Sequence, residues 1–159
     1  MNDTRDPQEA QLTWTLMTLQ GDVLLKGQQA VQLPVNQSVH LADVDLSGVD
    51  FDPANAVFRA RLTAEGQPVN ETKYFFAPFA EMVACDADVQ YTCRPLEPGR
   101  YEVTLFASRF VWMLHLAEPD GAVYSENDFD LWPGEEKTIT VTTNEPNFNP
   151  VLHWMGKEV

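Results

Sequence analysis

The sequence predicts an all-β protein that folds as two small antiparallel sandwiches in tandem. Apolar and polar residues alternate along several short segments, and this period of two is typical of strands with one buried face. Turn residues separate the segments, and no segment carries the apolar stripe of a sustained helix. A chain of 159 residues has room for two domains, since small domains begin at about 50 residues.

The first sandwich is expected over residues 1–76. Its opening strand has Leu12, Trp14 and Leu16 on one face. In the returning strand, Gly27 predicts a β-bulge that bends the chain around a sandwich corner. Further alternation predicts three more strands, at positions 38–42, 56–64 and 69–76.

The strand predicted at 56–64 separates apolar from basic side chains. Arg59 and Arg61 occupy one face, which we expect to be exposed to solvent. The opposite face should be buried, and it carries Phe58, Ala60 and Leu62. The residues at 65–68 then predict a hairpin turn, because they combine glycine and proline between two alternating segments.

The second sandwich is expected over residues 77–159, after a short irregular or helical crossover at 79–83. Pro98 and Gly99 predict a turn, because proline presets φ and glycine accepts a positive φ. In the following strands, Tyr101, Val103 and Leu105 are expected to share one face, and Ile139 and Val141 are expected to face inward. The tail from residue 144 fits either an extra edge strand or a contact to a neighbouring domain.

The charge balance excludes several classes of partner. Acidic residues outnumber basic ones by 24 to 10, which gives a formal net charge of −14. Such a surface repels the phosphates of nucleic acids and anionic lipids, so neither nucleic acid nor a membrane is expected as a partner. The first residues also lack the basic start and apolar core of a signal peptide, and a cytoplasmic location is therefore expected.

Cys85 and Cys93 are the only cysteines. Along one extended strand they would lie about 26 Å apart, which is far beyond the reach of a disulfide. They could pair only if the residues at 86–88 turn the chain back. Two reduced thiols are the favoured interpretation.

The residues at 43–48 have the alternating oxygen ligands that open a calcium loop, beginning with Asp43, Asp45 and Ser47. The twelfth position of that loop is Ala54, where a bidentate glutamate is required. No metal or cofactor is therefore expected. A calcium-stabilised interaction domain stays open as a third hypothesis.

Aromatic and polar residues near position 130 suggest a carbohydrate-binding site. An exposed indole could stack on the apolar face of a pyranose while neighbouring polar groups bond its hydroxyls. The candidate residues are Trp132, Asp128, Asp130 and Asn127. The alternative is that Trp132, Trp112 and Phe129 fill the core or an interdomain seam, which is the usual role of large aromatic residues in a small sandwich.

The stretch from Tyr124 to Val141 reads Y-S-E-N-D-F-D-L-W-P-G-E-E-K-T-I-T-V, and the strand at 110–114 reads F-V-W-M-L. Together they resemble the C-terminal β-sandwich of β-mannosidases, which belong to family 2 of the glycoside hydrolases. The segments at 12–16, 21–24 and 73–78 resemble the preceding sandwich of those enzymes. The resemblance implies two immunoglobulin-like sandwiches that form an accessory region.

In the enzymes that this chain resembles, the acid/base and nucleophile glutamates lie in a central (β/α) barrel. The sequence has no alternation of strands and helices from which to build that barrel, so we expect no catalytic residue in this chain. The resemblance implies a parent enzyme that hydrolyses terminal β-mannosides with retention. The barrel of that parent is the expected partner.

One departure from the family pattern concerns the start of the first sandwich. The residues at 2–4 follow a strand of the same sandwich in the resembling enzymes, and here Met1 comes where that strand should already have been laid down. Either the chain is a fragment of a longer enzyme, or its first sandwich lacks its first strand and has an open edge. An open edge predicts self-association or low stability of the N-terminal half.

A second hypothesis, from a different functional class, is a free-standing carbohydrate-binding or adhesion module. It uses the same sandwich as a scaffold and takes a mannose-containing glycan as its partner. Affinity of the isolated chain for manno-oligosaccharides would favour this hypothesis. Tight binding to a separately produced barrel would favour the accessory region.

Overall fold

The computed structural model describes residues 6–82, 87–119 and 121–155. These residues form eleven strands and two single 3-10 turns, and every strand pairing among them is antiparallel. The predicted all-β, antiparallel class is confirmed. Within the described residues, one compact unit comprises 6–18 and 22–82, and a second comprises 19–21 with everything from residue 87 onward. The domain boundary predicted between residues 76 and 77 stays a prediction.

The first unit is built on one four-stranded sheet with the order β2-β1-β3-β4. Its strands are β1 (Gln8–Thr18), β2 (Val23–Leu33), β3 (Ala56–Ala64) and β4 (Gln67–Phe75). The long segment at 34–55 supplies part of the cover for one sheet face. Its Leu41 packs against a buried cluster formed by Ala10, Val31 and Leu33.

Gly27 does not form the bulge predicted for it. It lies in regular register opposite Trp14, and the register of β1 with β2 shifts between Leu16 and Met17 instead. A Cβ on Gly27 would lie 2.4 Å from Cζ2 of Trp14. The glycine is therefore explained by the close approach of the indole, which leaves no room for a side chain.

The strand predicted at 38–42 is absent, since these residues have no strand pairing in the structure. The carbonyl of Leu41 accepts a hydrogen bond from Nε2 of Gln29 at 3.4 Å. A side-chain amide from β2 thus satisfies a backbone group that a strand would have paired. The alternation at 38–42 reflects the anchoring of Leu41 on the sheet.

Arg59 and Arg61 lie on the sheet face opposite to Leu62, as predicted, but Arg59 is not exposed. Only 8% of its surface is accessible. Its Nη2 lies 2.9 Å from Oε2 of Glu71, and Nε of Arg61 lies 2.8 Å from the same oxygen. One carboxylate of β4 therefore pairs with two guanidinium groups of β3, and this pairing makes the burial of Arg59 tolerable.

Two predicted turns are confirmed. Glu65 and Gly66 join β3 to β4 with φ of +51° and +76°, which is the two-residue turn with positive φ that suits the twist of a hairpin. Gly99 has φ of +76° directly after Pro98, at the turn between β5 (Val89–Glu97) and β6 (Arg100–Ala107). The expected crossover after residue 78 contains a single 3-10 turn, Phe79–Glu81.

The second unit has two sheets with the orders β5-β6-β10-β8 and β11-β7-β9. Their remaining strands are β7 (Val111–Leu116), β8 (Val123–Tyr124), β9 (Phe129–Leu131), β10 (Glu136–Thr142) and β11 (Leu152–His153). One core joins both sheets. Nine of its described members have at most 1% of their surface exposed: Val103, Leu105, Ala107, Val111, Leu114, Leu116, Leu131, Ile139 and Val141.

The tail adds a short edge strand, which was one of the two possibilities left open by the sequence. Leu152 and His153 pair with Leu116 and His115 of β7. Upstream of this strand, Phe148 is 6% exposed and its ring centroid lies 5.5 Å from that of Tyr101. The tail therefore closes one side of the second core.

Candidate functional site

Asn127 lies between β8 and β9 and bonds to the backbone of β7. Its Oδ1 accepts a hydrogen bond from the N–H of Leu116 at 2.8 Å, and its Nδ2 donates to the carbonyl of the same residue at 3.0 Å. Nδ2 also donates to Oε1 of Glu118 at 3.1 Å. The side-chain amide thus does for Leu116 what a neighbouring strand would do, because it satisfies both backbone groups.

Asp128 follows with φ of +59°, in the left-handed region that Asp tolerates better than most residues. Its Oδ1 lies 2.9 Å from Nδ1 of His115, the residue before Leu116 in β7. The two side chains are 57% and 41% exposed. Water screens this pair, so it aligns the segment on β7 and adds little stability.

Asp130 makes the third side-chain bond to β7. Its Oδ1 accepts a hydrogen bond from the backbone N–H of Met113 at 3.1 Å. Met113 has φ of +50° and lies at the irregularity between Val111 and Leu114, where β7 shifts register against β9. The carboxylate thus satisfies a backbone donor that the bulge removes from the ladder.

Trp132 lies in the packed interior. Only 6% of its surface is accessible, and its ring centroid is 4.8 Å from that of Phe110 at an interplanar angle of 53°. Phe129 is also buried, at 7% exposure. A pyranose stacks only on an aromatic face that it can reach, and the described structure covers both of these rings.

The structure therefore brings three of the four candidate residues together beside β7 and buries the fourth. Asn127, Asp128 and Asp130 each bond to β7, whereas Trp132 is buried. Sugar contact at these four residues stays a prediction. Sequence reasoning missed the bonds from Asn127, Asp128 and Asp130 to β7. Polar residues beside a short strand after a loop are nevertheless a signal of side chains that cap backbone groups.

The residues of the calcium-like run are engaged in local bonds. Oδ1 of Asp45 accepts a hydrogen bond from the N–H of Ser47 at 2.9 Å, and the bonds from Ser47 hold the pKa of Asp45 below its ordinary value. Asp43 lies 3.0 Å from Nε2 of His40. In the described ranges, no group of three or more His, Cys, Asp or Glu side chains is arranged to hold a metal ion.

Both halves of the chain match known domain families. Residues 1–80 match the model of the Mannosidase Ig/CBM-like domain, and residues 85–153 match that of an Ig-fold domain. The chain belongs to the Mannosidase Ig/CBM-like domain family. The predicted tandem of immunoglobulin-like domains is confirmed, with an Ig/CBM-like domain first and an Ig-fold domain second.

Solved structures include two proteins with a region of similar fold. The β-D-mannosidase of Dictyoglomus thermophilum matches 98% of the chain with a TM-score of 0.78 and 21% sequence identity. An exo-chitosanase of Amycolatopsis orientalis matches 88% of the chain with a TM-score of 0.62 and 17% identity. At these identities the likeness shows the fold alone.

The chain spans only about a fifth of each of these two proteins, 20% of the mannosidase and 21% of the exo-chitosanase. No curated protein matched the sequence. Where the structure describes the chain, it contains no helix with the length and apolar character needed to cross a membrane.

Within the Ig-fold domain, the pKa of the Tyr124 phenol is raised above its ordinary value. Its hydroxyl donates to the carbonyl of Ala117 at 2.8 Å. Partial burial raises the pKa of Tyr124, and the carboxylates of Glu118 and Glu145 raise it further. The neutral phenol is therefore the form that the folded domain prefers.

Cys93 is a free thiol on β5, half-buried, and its Sγ lies 3.6 Å from the carbonyl oxygen of Phe148. Burial raises the pKa of the Cys93 thiol, which lowers its reactivity because the thiolate is the nucleophile. Cys85 lies outside the described residues, so the expectation of two reduced thiols stays a prediction.

Proposed function

We propose that this chain is the non-catalytic accessory region of a multi-domain glycoside hydrolase of the β-mannosidase type, family 2. One observation carries the proposal: a tandem of an Ig/CBM-like and an Ig-fold domain covers most of the chain. The same pair makes up a fifth of a β-D-mannosidase whose structure matches 98% of the chain. The parent enzyme would hydrolyse terminal β-mannosides, and this region would stabilise its catalytic barrel.

The geometry of residues 127–130 favours a structural role for this segment. Asn127 and Asp130 bond to backbone groups of β7, and Asp128 bonds to the side chain of His115 on the same strand. Groups engaged in this way hold a sheet together, whereas catalytic carboxylates need to face a pocket that admits a substrate. The bonds of Asn127 and Asp130 therefore favour a role in the scaffold.

The test begins with the reading frame that encodes the chain. We expect the frame to continue into a barrel with two catalytic glutamates, and the whole protein to hydrolyse p-nitrophenyl β-mannoside. Removing residues 1–159 from that protein should lower the melting temperature of the barrel. A frame that encodes no hydrolase, or a barrel equally stable without this region, would overturn the proposal.

A second measurement separates this proposal from a free-standing module. The chain should bind a separately produced barrel of its parent and should restore its thermal stability. A chain that binds manno-oligosaccharides tightly but does not bind the barrel would instead support a carbohydrate-binding or adhesion module.

A further inference from the structure

An open groove lies on the sheet of the first unit, away from the candidate segment described above. Its volume is about 410 Å³, which is within the range of about 300–1,000 Å³ for small-molecule sites. It is formed where β1 and β2 meet the β3–β4 turn. The residues that line it include Glu9, Gln11, Ala30, Gln32, Thr63 and Glu65.

The groove exists because one residue in a row of long side chains is short. Ala30 lies directly opposite Gln11 in the β1–β2 register, and its neighbours on the same face of β2 are Gln28 and Gln32. Because successive residues of a strand point to opposite faces, these three side chains share one face. The short side chain of Ala30 leaves space beside Gln32, and both residues line the groove.

The walls of the groove are held in place by hydrogen bonds. Nε2 of Gln11 donates to Oε1 of Gln28 at 3.2 Å, and Nε2 of Gln32 donates to Oε1 of Glu9 at 3.0 Å. Each amide or carboxylate keeps further donor or acceptor positions for a ligand. The walls therefore present ordered polar groups around a small apolar floor.

The chemistry of the lining selects a class of ligand. Among the described residues that line the groove, none is Lys or Arg, so it lacks the groups that recognise phosphate or carboxylate. Amide, carboxylate and hydroxyl groups bond readily to vicinal hydroxyls, which act as donors and acceptors together. We propose that the groove binds about one or two units of an uncharged oligosaccharide.

This inference rests on the proposed function, because an accessory region of a glycosidase is where a glycan ligand is supplied. It names a surface of the Ig/CBM-like domain that the candidate residues 127–132 do not share. The lining contains no aromatic ring, so the sugar gains no stacking energy, and we expect a weak dissociation constant of about 1 mM.

The test is a titration of the 159-residue chain with mannobiose, mannotriose, cellotriose and a chitosan trisaccharide, followed by NMR chemical shifts. Shifts should concentrate on residues of β1 and β2. Gln11→Ala removes wall groups and Ala30→Leu fills the space beside Gln32, and each should weaken binding by about fivefold or more. Gln90→Ala, a glutamine exposed on β5, is the matched control and should leave binding unchanged.

Three results would overturn the inference: no binding up to about 20 mM sugar, binding that Gln11→Ala and Ala30→Leu both leave intact, or a preference for charged chitosan oligosaccharides at low salt. The last result would mean that Glu9 and Glu65 select a cation. None of these results concerns the barrel. If the chain still stabilises the barrel, the groove fails alone and the proposed function stands.

Discussion

The indole of Trp14 lies directly against the backbone of Gly27, its cross-strand neighbour. The position of a Cβ on Gly27 would be 2.4 Å from Cζ2 and 2.7 Å from Nε1 of that ring. Carbon atoms in contact normally lie about 3.5–4.0 Å apart. The absence of a side chain at Gly27 therefore allows the indole of Trp14 to pack against the backbone of β2.

Gly27→Ala should destabilise the first unit by about 1–3 kcal/mol, because the indole must move away from the new methyl group. Gly48→Ala is the matched control, since a Cβ at Gly48 meets nothing within 4 Å. We expect that change to be neutral or slightly stabilising. Urea denaturation of both variants measures the difference, and equal stabilities would show that the ring does not depend on the glycine.

Asn127→Ala should lower the free energy of unfolding of the second unit by about 2–4 kcal/mol. The change removes bonds to both backbone groups of Leu116 and leaves them in a half-buried place without their partner. Asn149→Ala serves as the control, because Asn149 is exposed and accepts one bond from Tyr91. Should both changes cost the same in thermal and urea unfolding, Asn127 has no special structural role.

Glu71→Ala should cost about 2–3 kcal/mol, because it removes the carboxylate that pairs with the buried Arg59. The comparison is Glu102→Ala, which breaks an exposed pair with Arg94 and should cost about 0–1 kcal/mol. Denaturation at two salt concentrations checks this. The exposed pair should weaken with salt, and the buried one should change less.

The stability of the second unit should fall at alkaline pH because of Tyr124. Its pKa is raised in the folded state above the ordinary value of 10.0, so the folded form holds the proton more tightly than the unfolded chain does. The contribution is therefore complete below pH 10 and is lost as the pH rises through the folded pKa. Tyr124→Phe should remove this loss and cost about 1 kcal/mol at neutral pH, as measured by melting curves between pH 8 and pH 11.

Self-association through a sheet edge stays a prediction that the fold makes more specific. In the described sheet of the first unit, β2 and β4 are the edge strands, and β4 exposes 51% of Val69. Sedimentation should show concentration-dependent association that rises with salt, since a net charge of −14 opposes it. Val69→Lys should reduce the association, whereas Val151→Lys in the second unit should not, and a monomer at all concentrations would refute the idea.

Local signals predicted much of the fold. The turns at residues 65–66 and 98–99 depend on backbone preferences of Gly and Pro within a few residues. The inward positions of Ile139 and Val141 follow from the period of two, because both are at most 1% exposed. Features that a short window contains could be predicted from that window.

Features that depend on residues far away in the sequence could not be predicted from a short window. Gly27 looked like a bulge, but its role is set by Trp14, thirteen positions earlier in the chain. Arg59 was predicted to be exposed because it alternates with apolar residues. Its burial depends on an ion pair with Glu71 of the neighbouring strand β4. For the candidate site, Asn127 and Asp130 were predicted to contact a sugar, and nothing local reveals that their side chains bond to backbone groups of β7.

The bonds from Asn127 and Asp130 to β7 bear on how such sequences are interpreted. Side chains that satisfy backbone groups in place of a neighbouring strand are needed for the sandwich to fold. Proteins with very different reactions can share that requirement, because the bonds involve only backbone groups that every chain possesses. A match to the N-D-F-D-L run therefore identifies a sandwich and says nothing about which glycosidic bond, if any, its owner cleaves.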